Sequence, residues 1–122
     1  MLEKKKVLVV EDNELNLKLF SDLLDTVNAR IIQSRDGKRI KEICQVEKPC
    51  LIIMDIQLPN ISGIDIIQTL KVDAELKTIP IIAVTAFAMQ NDRENILNAG
   101  CEEYLSKPIS ISVFLDTVKK YI

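Results

Sequence analysis

The feature that most constrains this chain is a set of short apolar runs without a polar break. Val7–Val10 reads VLVV, Leu51–Met54 reads LIIM and Ile81–Val84 reads IIAV. A strand with one wet face alternates apolar and polar side chains. A strand that does not alternate is covered on both faces, which is the condition of a parallel sheet between helical layers. Strands are therefore expected at Lys6–Val10, Ala29–Ser34, Cys50–Met54, Ile81–Thr85 and Glu103–Ser106.

Between these runs the apolar spacing turns helical. In Glu14–Val27, Leu15, Leu17, Leu19, Phe20, Leu23, Leu24 and Val27 cover an arc of roughly 200° at ~100° per residue. Leu15 and Leu17 mark the two rims of that arc. Asn16 lies between them, so its amide is expected to be buried or hydrogen-bonded to a neighbouring loop. Asn91 followed by Glu94 gives a capping-box start for a helix over Asp92–Ala99, and Gly100 gives its stop. Ile111, Phe114, Leu115, Val118, Tyr121 and Ile122 recur at helical spacing near the C-terminus. Five strand–helix alternations predict a doubly wound α/β sheet in one domain, a size that 122 residues fit.

Each strand delivers a polar group at its carboxyl end. The first ends in Glu11 and Asp12, the third in Asp55, the fourth in Thr85 and the fifth in Lys107. Parallel strands point one way, so these side chains converge on one rim, where open α/β sheets bind their ligands. Each residue alone has a structural explanation: a helix-dipole acid, a turn opener, a strand-end threonine, a surface lysine. Four such coincidences at one edge are harder to explain structurally.

The chain has no histidine, which removes the commonest acid/base and the commonest transition-metal ligand. Carboxylates ~4 Å apart repel by about 4 kcal/mol at an effective dielectric near 20, so three of them call for a cation. An oxygen-only donor set selects a hard ion, and few carboxylates plus water suit Mg²⁺. Phosphate commonly accompanies Mg²⁺, and Thr85 and Lys107 are donors for its oxygens. A carboxylate can itself act as nucleophile and form an aspartyl phosphate.

Composition narrows the rest. Sixteen basic against 18 acidic residues leave a net charge of −2, which argues against a nucleic-acid partner. Cys44, Cys50 and Cys101 are odd in number and form no CxxC pair, as expected of reduced thiols in the cytoplasm. No apolar run approaches the ~18 residues of a membrane span.

The stretches VLVVEDN, LIIMDIQLPNISG, IIAVTA and YLSKP together resemble the receiver domain of two-component response regulators. The intervals from Asp12 to Asp55, to Thr85 and to Lys107 fit that family, and the likeness spans essentially the whole chain. VEDNELN, MDIQLPNISG, VTAFAM and YLSKPIS look most like DivK-type single-domain regulators of bacterial cell-cycle signalling.

The resemblance implies a five-stranded parallel sheet of flavodoxin-like order 2-1-3-4-5 with five helices. It makes Asp55 the phosphoacceptor, supplied by the phosphohistidine of a histidine kinase or phosphotransferase. Asp12 and Asp55 would ligate Mg²⁺, or Mn²⁺ in its place, with Glu11 acting through water and Gln57 through its backbone carbonyl. Thr85 and Lys107 would bind phosphoryl oxygens. Tyr104 would be the aromatic that moves inward with Thr85, and Lys107–Pro108 a cis bond.

The chain stops after the fifth helix, so a single receiver over 1–122 without an output domain is expected. Its output would be contact with a downstream protein, or onward phosphotransfer. The surfaces expected for partners are Leu15 and Leu17 beside the acids, and Phe87 and Met89 at the entrance to a switched face over 91–122. No nucleic acid or membrane enters this scheme, and the protein is expected to be a monomer or weak dimer. Two alternatives stand beside it: a degenerate receiver that binds partners without phosphorylation, and a small Mg²⁺-dependent phosphatase of the haloacid-dehalogenase type. The second needs an acid two residues after the nucleophile, where this chain has Gln57.

Overall fold

A computed structural model describes residues 5–59, 61–86 and 90–122, with side chains from 93 onward in the last segment. Strands and helices alternate strictly: β1 Lys5–Val10, α1 Glu14–Thr26, β2 Ala29–Ser34, α2 Ile40–Glu47, β3 Leu51–Asp55, α3 Gly63–Lys71, β4 Ile81–Thr85, α4 Gln90–Asn98, β5 Glu103–Ser106 and α5 Ile111–Lys119. The five strands form one parallel sheet in the order β2-β1-β3-β4-β5. The chain therefore reverses direction across the sheet at β1 and β3, the switch point of this topology.

The unbroken apolar runs fill the three central positions. Every residue of β3 and β4 is buried, as are the last four of β1, whereas edge strands β2 and β5 are only partly covered. Alternate residues feed two cores. Leu8, Val10, Ile52, Met54, Ile81 and Ala83 pack towards α2, α3 and α4. Val7, Val9, Leu51, Ile53, Ile82 and Val84 pack towards α1 and α5. Phe20 of α1 stacks on Phe114 of α5, with ring centroids 5.2 Å apart, which ties the two helices of that layer together.

Local chemistry sets several boundaries. Asn13 caps α1, its side chain accepting from the Asn16 backbone N–H, and Ser110 caps α5 by accepting from Val113. Val27, expected as helical, is instead the residue that closes α1. Helix α4 begins at Gln90, so Asn91 lies inside its first turn rather than ahead of it. Gly100 follows the helix at φ +116°, a conformation that favours glycine, and ends it as expected. Gly63 matters for a different reason: a Cβ there would stand 2.5 Å from the carbonyl oxygen of Asp55. Only glycine lets α3 start this close to the end of β3.

All three cysteines are free, and burial pushes the thiols of Cys44 and Cys101 up to about 11. They serve as small apolar residues of the core. Among the described residues, no helix is long and apolar enough to cross a membrane.

Candidate functional site

The carboxyl rim of the sheet gathers the polar side chains. Glu11 directly follows β1 and continues its ladder, its N–H donating to the Ser34 carbonyl at 3.0 Å. That places its side chain inside the molecule, fully buried, while Asp12 turns out to solvent. Asp55 closes β3 and is buried. Glu11, Asp12 and Asp55 each offer a carboxylate oxygen within 4.8 Å of the others.

Lys107 stands over the two buried acids. Its Nζ lies 3.1 Å from Glu11 Oε1 and 3.5 Å from Asp55 Oδ2. It is held there by the link from β5, where the Lys107 N–H donates to the Thr85 carbonyl at 2.8 Å. The Lys107–Pro108 bond that follows is cis. Asn16 completes the support from α1: its Nδ2 donates to Glu11 Oε1 at 2.7 Å. Asn16, mid-stripe on an apolar helix face, thus turns its amide to the acid at the end of β1.

One ammonium against three carboxylates leaves the cluster short of positive charge. Burial first, then the neighbouring Asp55 carboxylate, push the Glu11 carboxyl up from an ordinary 4.5 to about 7; Asn16 and Lys107 act in the opposite direction. Glu11 Oε2 is buried with no hydrogen-bond partner among the described residues. An orphaned buried carboxylate oxygen beside two further carboxylates fits a hard divalent cation, and the all-oxygen donor set fits Mg²⁺.

Across the mouth, Asp55 Oδ1 accepts from the Gln57 backbone N–H at 2.9 Å. The Gln57 side chain reaches β4, where Nε2 donates to Thr85 Oγ1 at 2.6 Å and Oε1 accepts from the Ala86 N–H at 3.0 Å. Tyr104 on β5 is half-buried beside this region, with the Arg93 guanidinium 5.1 Å from its ring centroid.

Glu11, Asp12, Asp55, Gln57, Thr85 and Lys107 are thus brought together. Leu15 and Leu17 part company: Leu15 is 79% exposed on the first turn of α1, whereas Leu17 is 3% exposed and packs under the sheet. Leu17 therefore cannot form a docking surface, because α1 seats that side of its stripe fully against β1 and α5. Phe87 and Met89 lie outside the described residues. From sequence the Gln57 amide counts against the phosphatase alternative, but its bonds to Thr85 and Ala86 have no local signal, since those partners are 28 and 29 positions away.

Comparison with known proteins bears on this site. The family model described as response regulator receiver domain matches residues 7–119. The polar-differentiation response regulator DivK of Brucella anthropi is 50% identical over 118 residues, which cover 97% of this chain and 96% of that protein. A putative response regulator from Chloroflexus aurantiacus superposes with a TM-score of 0.91 over 98% of both chains; at 22% identity it speaks for the fold. The receiver domain of the sensor histidine kinase PA1611 from Pseudomonas aeruginosa, 30% identical with a TM-score of 0.83 over 98% of both chains, has a magnesium ion coordinated in its active-site cleft.

Proposed function

The chain belongs to the response regulator receiver family, the signalling phosphoacceptors of two-component systems, and we propose that its phosphoacceptor is Asp55. The observation that carries this reading is a buried carboxylate at the mouth of a central strand. Lys107 stands 3.5 Å from it and two further acids lie within metal-sharing distance. The donor is a phosphohistidine on a histidine kinase or phosphotransferase, since this chain has no histidine of its own. The P–N bond to the imidazole breaks as the P–O bond to Asp55 forms, and the imidazole leaves with the electron pair.

Glu11, Asp12, Asp55 and the Gln57 carbonyl are the groups suited to hold Mg²⁺, or Mn²⁺ in its place. When bound, the ion neutralises charge on the transferring phosphoryl oxygens. Lys107 is suited to the same task from the protein side, its Nζ already directed at Asp55. Thr85, one strand over, supplies a hydroxyl for a third oxygen. Gly63 keeps the loop after Asp55 close enough to the strand for the Gln57 N–H to orient the acceptor carboxylate. In phosphoryl transfer such positioning and charge neutralisation carry most of the catalysis.

Once Asp55 carries the phosphoryl group, Thr85 is drawn towards it and Tyr104 follows into the space released. Two packings of one aromatic provide the bistable element a switch requires. The signal leaves as a protein–protein contact or by onward phosphotransfer. The free thiols suit a reducing cytoplasm.

Incubation with Mg²⁺ and acetyl phosphate, followed by intact-mass measurement, tests the assignment. A single phosphate adduct is expected, dependent on Mg²⁺ and lost in Asp55→Asn. An adduct that survives Asp55→Asn would move the acceptor elsewhere. No adduct from acetyl phosphate or from a phosphorylated kinase would leave a binding module that works without phosphorylation.

A further inference from the structure

We propose that the Gln57 side chain is a latch on the end of β4. In this view it holds Thr85 and Ala86 in the unphosphorylated arrangement, and an anionic group on Asp55 must displace it. The inference rests on Asp55 being the phosphoacceptor.

Both polar atoms of the Gln57 amide are engaged, and on adjacent groups of one segment. Nε2 donates to Thr85 Oγ1 at 2.6 Å while Oε1 accepts from the Ala86 N–H at 3.0 Å. The pairing also fixes which way the amide faces, since the reversed amide would set its NH₂ against the Ala86 N–H. Two contacts from one rigid planar group hold the strand end more firmly than either alone. The same residue touches the acceptor: its backbone N–H donates to Asp55 Oδ1 at 2.9 Å. Gln57 thus joins the carboxylate that is modified to the strand end that must move.

The amide oxygen occupies the donor that an anion on Asp55 would compete for. Ala86 N–H already donates to a neutral carbonyl oxygen. A charged phosphoryl oxygen is the stronger acceptor, since charge-assisted hydrogen bonds are roughly twice as strong as neutral ones. Exchange of one acceptor for the other releases the amide and removes the bond it makes to Thr85 Oγ1. Until then the latch adds to the free-energy gap between the two states. A ligand on Asp55 shifts the equilibrium only by its surplus over that gap.

Gln57→Met keeps the length of the side chain and removes both hydrogen bonds; Gln57→Ala removes the bulk as well. Two readouts apply, each on the whole protein: hydrogen exchange of the Ala86 amide without phosphoryl donor, and binding of Mg²⁺–beryllofluoride, a phosphoryl mimic, followed by amide shifts. In both variants the Ala86 amide is expected to exchange several-fold faster. Beryllofluoride is expected to bind roughly three- to tenfold tighter, the range of one net hydrogen bond. Unchanged exchange and affinity in Gln57→Met would overturn the latch. So would weaker binding in both variants, which would make Gln57 a preorganising group, or a gain confined to Gln57→Ala, which would trace to space alone. If the wild-type protein takes up no beryllofluoride, the phosphoacceptor reading fails and the latch with it. Uptake by wild type without a gain in Gln57→Met removes the latch only.

Discussion

Glu11 carries its carboxylate into the molecule with one oxygen held by Asn16 and Lys107 and the other buried without a partner among the described residues. In the metal-free protein this has a measurable cost. Folded Glu11 keeps its proton up to about pH 7, whereas the unfolded chain releases it near 4.5. Between those values the folded state binds more protons, so its stability falls as pH rises through that window and levels off above it. Thermal unfolding in a chelating buffer should therefore show a declining melting temperature from about pH 4.5 to 7, and Glu11→Gln should flatten that slope. An equal slope in the variant would place its origin elsewhere. The sequence marks Glu11 as part of the rim but not as the buried member of the acidic pair. Which of two neighbouring acids turns inward depends on how the chain leaves β1, and here the hydrogen bond to Ser34 on β2 decides it.

Among the elements, α1 shows how far periodicity reaches. Its start, its approximate end and its apolar stripe follow from spacing, and Asn16 stands out as the polar intruder. The stripe is narrower than the arc of leucines, because the helix seats Leu17, Phe20, Leu23 and Leu24 and leaves Leu15 in solvent. The two rim leucines therefore separate by experiment. Leu17→Ala should destabilise the fold by about 2–5 kcal/mol, the cost of emptying a buried leucine site, as read from chemical unfolding. Leu15→Asp should leave melting and phosphorylation by acetyl phosphate near wild type, and slow phosphotransfer from a kinase. Equal loss with both donors would show that Leu15 does not act through docking. The other partner surface named from sequence, Phe87 and Met89, lies outside the described residues.

At the scale of the whole molecule, the rim concentrates negative charge that the sheet topology forces together. Val10 pairs with Met54 on the adjacent parallel strand, so Glu11, which follows β1, and Asp55, which closes β3, are neighbours regardless of their mutual repulsion. Neutralising one of them should relieve the metal-free fold. Asp55→Asn is expected to raise the melting temperature in chelator by a few degrees, while reducing the further rise that saturating Mg²⁺ gives the wild-type protein. For wild type that rise grows with Mg²⁺ as mass action requires, reaching about 2.7 kcal/mol at a hundredfold excess over Kd. A variant that melts lower in chelator and gains the full Mg²⁺ increment would contradict the charge-cluster account.

The α/β alternation, the central strands and the rim on which Glu11, Asp12, Asp55, Thr85 and Lys107 meet are all legible in the order of residues. Those follow from short-range rules: unbroken apolar runs must be covered on both faces, parallel strands share a direction, and a residue after a strand stands at its end. That Leu17 is core and Leu15 surface, and that Asn16 steadies Glu11, emerges only from how the folded elements pack. The same packing joins the amide of Gln57 to Thr85 and Ala86. Each of these depends on the angle and depth at which one element packs against another. That is set by the summed fit of two cores, and no stretch of local sequence contains it.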